Sequence, residues 1–195
     1  MFINHGLQEL NLKVVYYGPG LGGKTTNLEY IYRELDPTLR SELVTLKTKE
    51  DRTLYFDFLQ LELGRVKGLK PRINLYTVPG QVYYNHSRKI ILKGVDGVVF
   101  VADSQRSRMG DNLDSLLDLE KNLIELGYSL EEFPWIIQYN KRDLPGVQST
   151  DTLQAKLNFF GAPHVEAIAI SGQGVIETLK RIITEVIAKV SICID

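Results

Sequence analysis

The sequence has little of what marks secreted, membrane-spanning or nucleic-acid-binding proteins. Cys193 is the single cysteine among 195 residues, so an internal disulfide is excluded and a reducing compartment is expected. The 23 Lys and Arg residues are offset by 24 Asp and Glu residues, and this net charge of −1 argues against non-specific binding to nucleic acid. No apolar run reaches the length of a membrane span, residues 1–6 lack a signal-peptide pattern, and Cys193 is not in the position of a prenylation box. We therefore expect a cytoplasmic protein with no membrane anchor.

The composition and the alternation of elements predict one folded α/β domain. Apolar residues make up 44% of the chain, which is enough for a substantial core, and we expect a single domain over residues 1–195. Apolar runs predict strands over residues 12–17, 54–63, 73–78, 98–103, 135–139 and 165–170. Helical periodicity predicts helices over residues 25–35, 83–92, 112–126, 152–160 and 175–190. This alternation favours a mostly parallel sheet with helices on both faces, whose ligands bind at the carboxyl ends of the strands.

A glycine-rich segment follows the first predicted strand and precedes the first predicted helix. Residues 18–25 read G-P-G-L-G-G-K-T and match the phosphate-binding pattern G-x-x-x-x-G-K-[ST] of P-loop NTPases. Its glycines allow backbone N–H groups to converge on phosphate oxygens, and the helix N-terminus adds partial positive charge. We expect Lys24 to reach the β- and γ-phosphates and the Thr25 hydroxyl to ligate Mg²⁺. The nucleotide-binding residues predicted in this region are Gly18, Gly20, Leu21, Gly22, Gly23, Lys24, Thr25 and Thr26.

A second motif, N-K-R-D at residues 140–143, follows the predicted strand 135–139. It resembles the N-K-x-D motif with which Ras-like GTPases select guanine. The Asp143 carboxylate could accept hydrogen bonds from N1–H and the exocyclic amino group of guanine, and adenine offers neither donor at those positions. The alkyl stem of Lys141 could lie along the base. A charged loop after a strand is the ordinary alternative, but the position about 115 residues after the phosphate loop favours a guanine site.

A third motif, T-V-P-G-Q at residues 77–81, resembles the D-x-x-G-Q segment of Ras-like GTPases. By that resemblance, the Gly80 N–H contacts the γ-phosphate and Gln81 orients the attacking water. Thr77, however, stands where those proteins carry the aspartate linked to Mg²⁺. We expect Asp57 to supply the missing carboxylate, because it lies in a predicted strand that is apolar on both faces. The alternatives for Asp57 are an ion pair with an arginine and a rim position that is open to water.

Together the motifs are similar to those of the MglA-type family of bacterial Ras-like GTPases, which act in cell polarity and gliding motility. The T-V-P-G-Q form and the D-R-T-L segment at residues 51–54 indicate this family, and the similarity extends over about residues 3–190. The resemblance implies a small-GTPase-like fold, GTP and GDP as ligands, and Thr53 as a further ligand of the Mg²⁺ that Thr25 and Asp57 are expected to hold. An ordinary threonine at the start of a strand is the alternative for Thr53. The resemblance also implies a catalytic set of Gln81, Lys24 and an arginine finger supplied in cis by Arg52. The further nucleotide contacts that it implies are Thr53, Gly80, Asn140, Lys141, Asp143 and Ala169.

One segment departs from the family pattern. Residues 168–170 read I-A-I where related GTPases often carry S-A-K in the last loop that contacts the base. The backbone N–H of Ala169 could still reach guanine O6, although the usual lysine is missing. A plain buried strand end is the alternative.

The sequence therefore predicts a small GTPase that binds GTP and GDP with Mg²⁺, hydrolyses GTP, and acts as a nucleotide-dependent switch in bacterial cell polarity and motility. The resemblance implies slow turnover without a partner, a Roadblock-fold, MglB-like activating protein, effectors on the switch surface, and recruitment to a cell pole through partners. The alternative is a nucleotide-regulated binding scaffold with negligible hydrolysis, which the threonine at residue 77 keeps open. A P-loop kinase or ATPase is disfavoured by the N-K-R-D motif.

Overall fold

A central sheet organises the part of the chain that the computed structural model describes, which is residues 2–4, 6–47, 53–62, 64, 68–80 and 85–194. The strands are β1 (Phe2–Asn4), β2 (Glu9–Tyr17), β3 (Val44–Lys47), β4 (Thr53–Glu62), β5 (Lys70–Thr77), β6 (Gly97–Asp103), β7 (Trp135–Asn140) and β8 (His164–Glu166). Their order across the sheet is β3-β4-β5-β2-β6-β7-β8, and β1 pairs with β2. The β5-β2-β6-β7-β8 part is parallel, whereas the β1–β2, β3–β4 and β4–β5 pairs are antiparallel.

Helices cover both faces of this sheet. They are α1 (Lys24–Glu34), α2 (Asn85–Leu92), α3 (Met109–Glu125), α4 (Thr150–Leu157) and α5 (Val175–Ile194), with short 3-10 helices at Pro37–Leu39 and Arg106–Arg108. Apolar residues of α1 and α5 form one core cluster with the sheet, and those of α2, α3 and α4 form a second cluster on the opposite face. The predicted α/β fold with a mostly parallel sheet is therefore confirmed. Among the described residues, no helix combines the length and the apolar character that a membrane crossing requires.

The last predicted strand, 165–170, is too long. β8 ends at Glu166 because the chain then turns back on itself, with the Ile168 N–H donating to the Gln173 carbonyl at 3.0 Å and the Gly172 N–H to the Ile168 carbonyl at 2.9 Å. Gly172 has a φ of 85°, a left-handed conformation that glycine adopts readily. The apolar residues after Glu166 therefore belong to a loop.

Other predicted boundaries shift by a few residues, and two strands were not predicted. α4 begins at Thr150 rather than at residue 152, because the Ser149 side chain accepts a hydrogen bond from the Thr152 N–H and caps the helix. β1 and β3 are only three and four residues long, so neither carries a run that periodicity can detect. The predicted strands 54–63 and 73–78 correspond to β4 and β5, which pair in antiparallel orientation.

The carboxyl ends of the parallel strands bring the three motifs to one edge of the sheet. β2 ends at Tyr17 immediately before the phosphate loop, β5 ends at Thr77, and β7 ends at Asn140. The position at which ligands bind to sheets of this kind is therefore the position of the candidate site.

Candidate functional site

The phosphate loop joins β2 to α1 and depends on its glycines. Gly18 has a φ of 135°, and a Cβ at this position would overlap the carbonyl of Val101 on the neighbouring strand β6. The Gly22 N–H donates to the Pro19 carbonyl at 3.2 Å, which closes a turn within the loop. Gly23 has a φ of 101° and stands immediately before the first residue of α1. The loop therefore presents its backbone at a helix N-terminus, as the motif predicted.

Lys24 lies beneath this loop and is 6% exposed. Its Nζ donates to the carbonyls of Gly18 at 2.9 Å and Pro19 at 2.7 Å. Burial, reinforced by the positive charge of Arg88, lowers the pKa of Lys24 to about 7, although Asp57 opposes this shift. A nearby anion favours the charged form of a buried amine, and phosphate oxygens at this loop would supply that charge.

Asp57 lies fully buried on β4, between two threonine hydroxyls. Its Oδ2 accepts hydrogen bonds from Thr25 Oγ1 at 2.6 Å and from Thr77 Oγ1 at 2.8 Å. The Asp57 backbone N–H donates in turn to Thr77 Oγ1 at 2.8 Å. The alternative that placed Asp57 at a rim open to water is therefore wrong. Among the described residues, two threonines rather than an arginine hold the carboxylate.

The other oxygen of this carboxylate, Asp57 Oδ1, is buried and has no hydrogen-bond partner within the described residues. A buried oxygen without a partner costs about 1–3 kcal/mol, and more when it is charged. A hydroxyl and a carboxylate oxygen are ligands that Mg²⁺ prefers, so the side chains of Thr25 and Asp57 fit this ion. No group of three or more His, Cys, Asp or Glu side chains that could hold a metal occurs in the described part of the chain.

Asn140 connects the base loop (residues 140–143) to the phosphate loop. Its Nδ2 donates to the Gly22 carbonyl at 2.8 Å, and its Oδ1 accepts from the Ala169 N–H at 2.9 Å. The Ala169 N–H, which the sequence assigned to guanine O6, therefore has Asn140 as its partner in this structure. Lys141, with a φ of 64°, donates from Nζ to Asp103 Oδ2 at 2.7 Å.

A cavity of about 290 Å³ opens between the base loop and the phosphate loop. Asp143, the predicted guanine-selecting carboxylate, is part of its wall, together with Thr26 from the start of α1. The remaining lining residues are Leu21, Gly23, Asn140, Lys141, Leu144, Ile168, Ala169 and Ile170. Most of the residues that the sequence assigned to the base therefore line this cavity.

The third motif touches the phosphate loop directly. A Cβ at Gly80 would overlap the backbone of Gly20, so the close approach of these two segments requires glycine at residue 80. Thr53 begins β4, where its backbone pairs with Lys47, and its side chain is outside the described part of the structure. Arg52 and Gln81 also lie outside the described residues, and their catalytic roles stay predictions.

Two polar groups at this edge were not predicted. Asp103 ends β6 with no exposed surface, and Arg108 donates from Nη2 to the Gly20 carbonyl at 2.7 Å. Asp103 could have been found by the argument applied to Asp57, because it ends the apolar run of residues 97–103. Arg108 follows Arg106 in a polar turn, and the sequence carries no signal that separates the two arginines.

A buried amide pair behind the phosphate loop was also missed. Asn27 of α1 and Gln138 of β7 exchange two side-chain hydrogen bonds, of 2.8 and 2.9 Å. Gln138 Nε2 also donates to the Thr178 hydroxyl at 2.9 Å, and Asn27 Nδ2 donates to the Gly23 carbonyl at 2.9 Å. This pair ties the start of α1 to β7 and to α5.

A glycine-rich loop at a helix N-terminus, a buried lysine beneath it and an N-K-x-D loop across the cavity define a small GTPase of the P-loop class. The sequence model of the ADP-ribosylation factor (Arf) family matches residues 2–186, and the chain therefore belongs to this family of small GTPases. The chain is 55% identical over 181 residues to the mutual gliding-motility protein MglA of Myxococcus xanthus (strain DK1622), and the match covers 93% of each protein. The similarity to MglA-type Ras-like GTPases is thus confirmed. Membership of the family implies, in general, that guanine nucleotide is bound with Mg²⁺ and that GTP is hydrolysed.

Proposed function

We propose that this chain binds GTP and GDP with Mg²⁺, hydrolyses GTP slowly without an activating partner, and acts as a switch in bacterial cell polarity and gliding motility. The main support is the buried arrangement of Asp57 with the hydroxyls of Thr25 and Thr77, beneath a complete phosphate loop. Related GTPases carry an aspartate linked to Mg²⁺ where this chain has Thr77. The arrangement offers the Asp57 carboxylate next to that position.

In this proposal, the Thr25 hydroxyl and the Asp57 carboxylate hold Mg²⁺, with Thr53 as a further ligand. The ion, when bound, offsets negative charge on the phosphates. Thr77 acts on the carboxylate, because its hydroxyl bonds both the side chain and the backbone of Asp57. Lys24 is the cation that binds the phosphate oxygens, and the amides of the phosphate loop orient them.

Base selection is assigned to Asp143, with the stem of Lys141 along the base. Support comes from the position of Asp143 in the cavity wall and from the Nζ contact that fixes the far end of Lys141 on Asp103. A carboxylate that accepts two hydrogen bonds from guanine would lose both with adenine, and sites built on hydrogen bonds reject such analogues strongly.

Hydrolysis is assigned to Gln81 and Arg52, which follow the family motifs. Gln81 would orient water for in-line attack, and Arg52 would offset the negative charge that develops on the phosphates. The γ-phosphate would order the segments that contain Thr53 and Gly80, and this ordering would be the signal that partners detect.

The cellular role rests on the similarity to MglA, whose name describes a gliding-motility protein. The proposed partners are a Roadblock-fold activating protein of the MglB type and effectors that bind the ordered switch surface. The proposed location is the cytoplasm, with recruitment to a pole through these partners. We also propose that residues 1–195 form one GTPase domain, since the family match spans residues 2–186.

Phosphate release from GTP, measured with and without a Roadblock-type partner, tests this function. We expect slow turnover alone and faster turnover with the partner, with GDP and GTP bound in preference to ADP and ATP. The second candidate, a binding scaffold with negligible hydrolysis, rests on the threonine at residue 77. Guanine-selective binding without partner-stimulated phosphate release would favour that scaffold.

A further inference from the structure

Arg108 reaches across from the chain after β6 to the phosphate loop. It ends the short 3-10 helix Arg106–Arg108, immediately before α3. Its Nη2 donates to the Gly20 carbonyl at 2.7 Å, and its Nη1 is paired with Asp111. The guanidinium therefore holds one carbonyl of the phosphate loop.

Asp103 provides the second half of this arrangement. Its carboxylate is fully buried, and Oδ2 lies 2.7 Å from Lys141 Nζ and 3.7 Å from Arg108 Nε. The backbone of Asp103 is fixed to α3, because its N–H donates to Asn112 Oδ1 at 2.9 Å and its carbonyl accepts from Asn112 Nδ2 at 2.8 Å. This one carboxylate thus faces Lys141 of the base loop and Arg108 of the chain after β6.

The contact between Arg108 and Gly20 lies where two of the motifs meet. Gly20, which Arg108 holds, is in turn the residue against which Gly80 packs. The guanidinium therefore acts at the point where the phosphate loop meets the third motif.

We infer that Arg108 is a positioning residue for the nucleotide: it fixes the Gly20 carbonyl and, through Asp103, couples the phosphate loop to Lys141 of the base loop. This inference rests on the proposed function and adds a residue to it. Arginine suits the position because its planar fork can donate to several acceptors at once, whereas the ammonium of lysine is a single point charge. A lysine could reach the Gly20 carbonyl but could not span Gly20, Asp103 and Asp111 together.

The test measures the release of fluorescently labelled GDP in Mg²⁺ from the full chain. Arg108→Ala removes the charge-assisted hydrogen bond to the Gly20 carbonyl, so we expect release to accelerate by roughly tenfold or more. Arg108→Lys should fall between this variant and the parent. Arg106→Ala is the matched control, because Arg106 lies exposed on the same short helix and carries the same charge. It should release GDP at the parental rate.

A double variant separates coupling from general destabilisation. Lys141→Met removes the ammonium that faces Asp103 but keeps an apolar stem for the base. If Arg108 acts through Asp103, the release rate of Arg108→Ala with Lys141→Met will be less than the product of the two single effects predicts. A merely structural role predicts multiplied effects, a lowered unfolding temperature and no rescue by Arg108→Lys.

The outcomes separate this inference from the function on which it rests. A parent that does not retain GDP overturns the proposed function, and the positioning role with it. If the parent retains GDP, two results overturn the positioning role alone. One is release of GDP from Arg108→Ala at the parental rate. The other is a release rate of the double variant that equals the product of the two single effects. If Arg108→Ala does not fold, GDP release is measured instead for Arg108→Lys, alone and combined with Lys141→Met. A parental release rate for Arg108→Lys alone then overturns the positioning role.

Discussion

The hydroxyl of Thr77 donates to Asp57 Oδ2 and accepts from the Asp57 backbone N–H, with both distances at 2.8 Å. A hydroxyl is both a donor and an acceptor, so one threonine side chain fixes the carboxylate and its backbone at the same time. An aspartate at residue 77 would place a second carboxylate against Asp57, and two like charges in a buried site oppose each other. The threonine is therefore matched to the carboxylate of Asp57 on the neighbouring strand β4.

Asp57→Ala should weaken the retention of GDP in Mg²⁺, because it removes the carboxylate that we assign to the ion. Loss of a charged ligand contact of about 1.5–3 kcal/mol corresponds to roughly tenfold or faster release. Release is timed with and without a chelator. Thr77→Ser keeps the hydroxyl and serves as the control that should retain Mg²⁺ dependence. An Asp57→Ala variant with parental Mg²⁺ dependence would make Asp57 a structural residue.

Asp143→Asn should keep the fold and change base preference. The amide can donate to the C2 oxygen of xanthine, whereas the carboxylate accepts from the amino group of guanine. Competition among GDP, ADP and XDP should therefore show guanine selectivity in the parent and a shift toward XDP in the variant. Equal affinity of the parent for ADP and GDP would contradict the assignment of Asp143.

Arg52→Ala and Gln81→Leu should retain GTP but hydrolyse it far more slowly. Both residues are proposed to act in the transition state, and loss of such an interaction lowers kcat with little change in ground-state binding. An arginine finger is typically worth on the order of 10³-fold or more in kcat. Single-turnover hydrolysis with the activating partner present is the measurement. If Arg52→Ala turned over at the parental rate under stimulation, Arg52 would be a solvated loop residue.

Gly97→Ala should destabilise the fold without touching the candidate site. A Cβ at Gly97, the first residue of β6, would overlap Val186 of α5 and press on Ile182. Overpacking of this kind typically costs about 1–3 kcal/mol of unfolding free energy. Gly110→Ala is the matched control, since an added Cβ there meets no atom of the described residues within 4 Å and the position is helical. Urea denaturation should separate the two variants, and equal midpoints would contradict the packing argument.

The sequence predicted the parts of the site that depend on local patterns. The phosphate loop and the N-K-R-D loop need particular residues at fixed spacing, so both could be placed before the fold was known. Asp57 was found because an ionised side chain in an apolar strand needs a partner. The threonine hydroxyls that hold it could not be predicted, because they come from α1 and β5 and meet only in the folded sheet.

Contacts between distant segments account for what the sequence missed. Arg106 and Arg108 look alike in sequence, and only the direction of the short helix before α3 brings Arg108 to Gly20. Gln138 lies in an apolar run, which indicates burial of the strand but does not identify the partners of its one amide side chain. The end of β8 was misplaced because the loop that follows it is as apolar as a strand.

The course of α5 has a practical consequence for experiments on this protein. The helix begins at Val175, next to the loop that contacts Asn140, and Cys193 lies in its last turn. At 1.5 Å per residue, Cys193 is about 27 Å along the helix axis from Val175. Because the sequence has one cysteine, thiol chemistry would direct a fluorophore or spin label to this one position. A probe at this position would report rotational diffusion and complex formation from the C-terminal end of α5, with the phosphate loop unmodified.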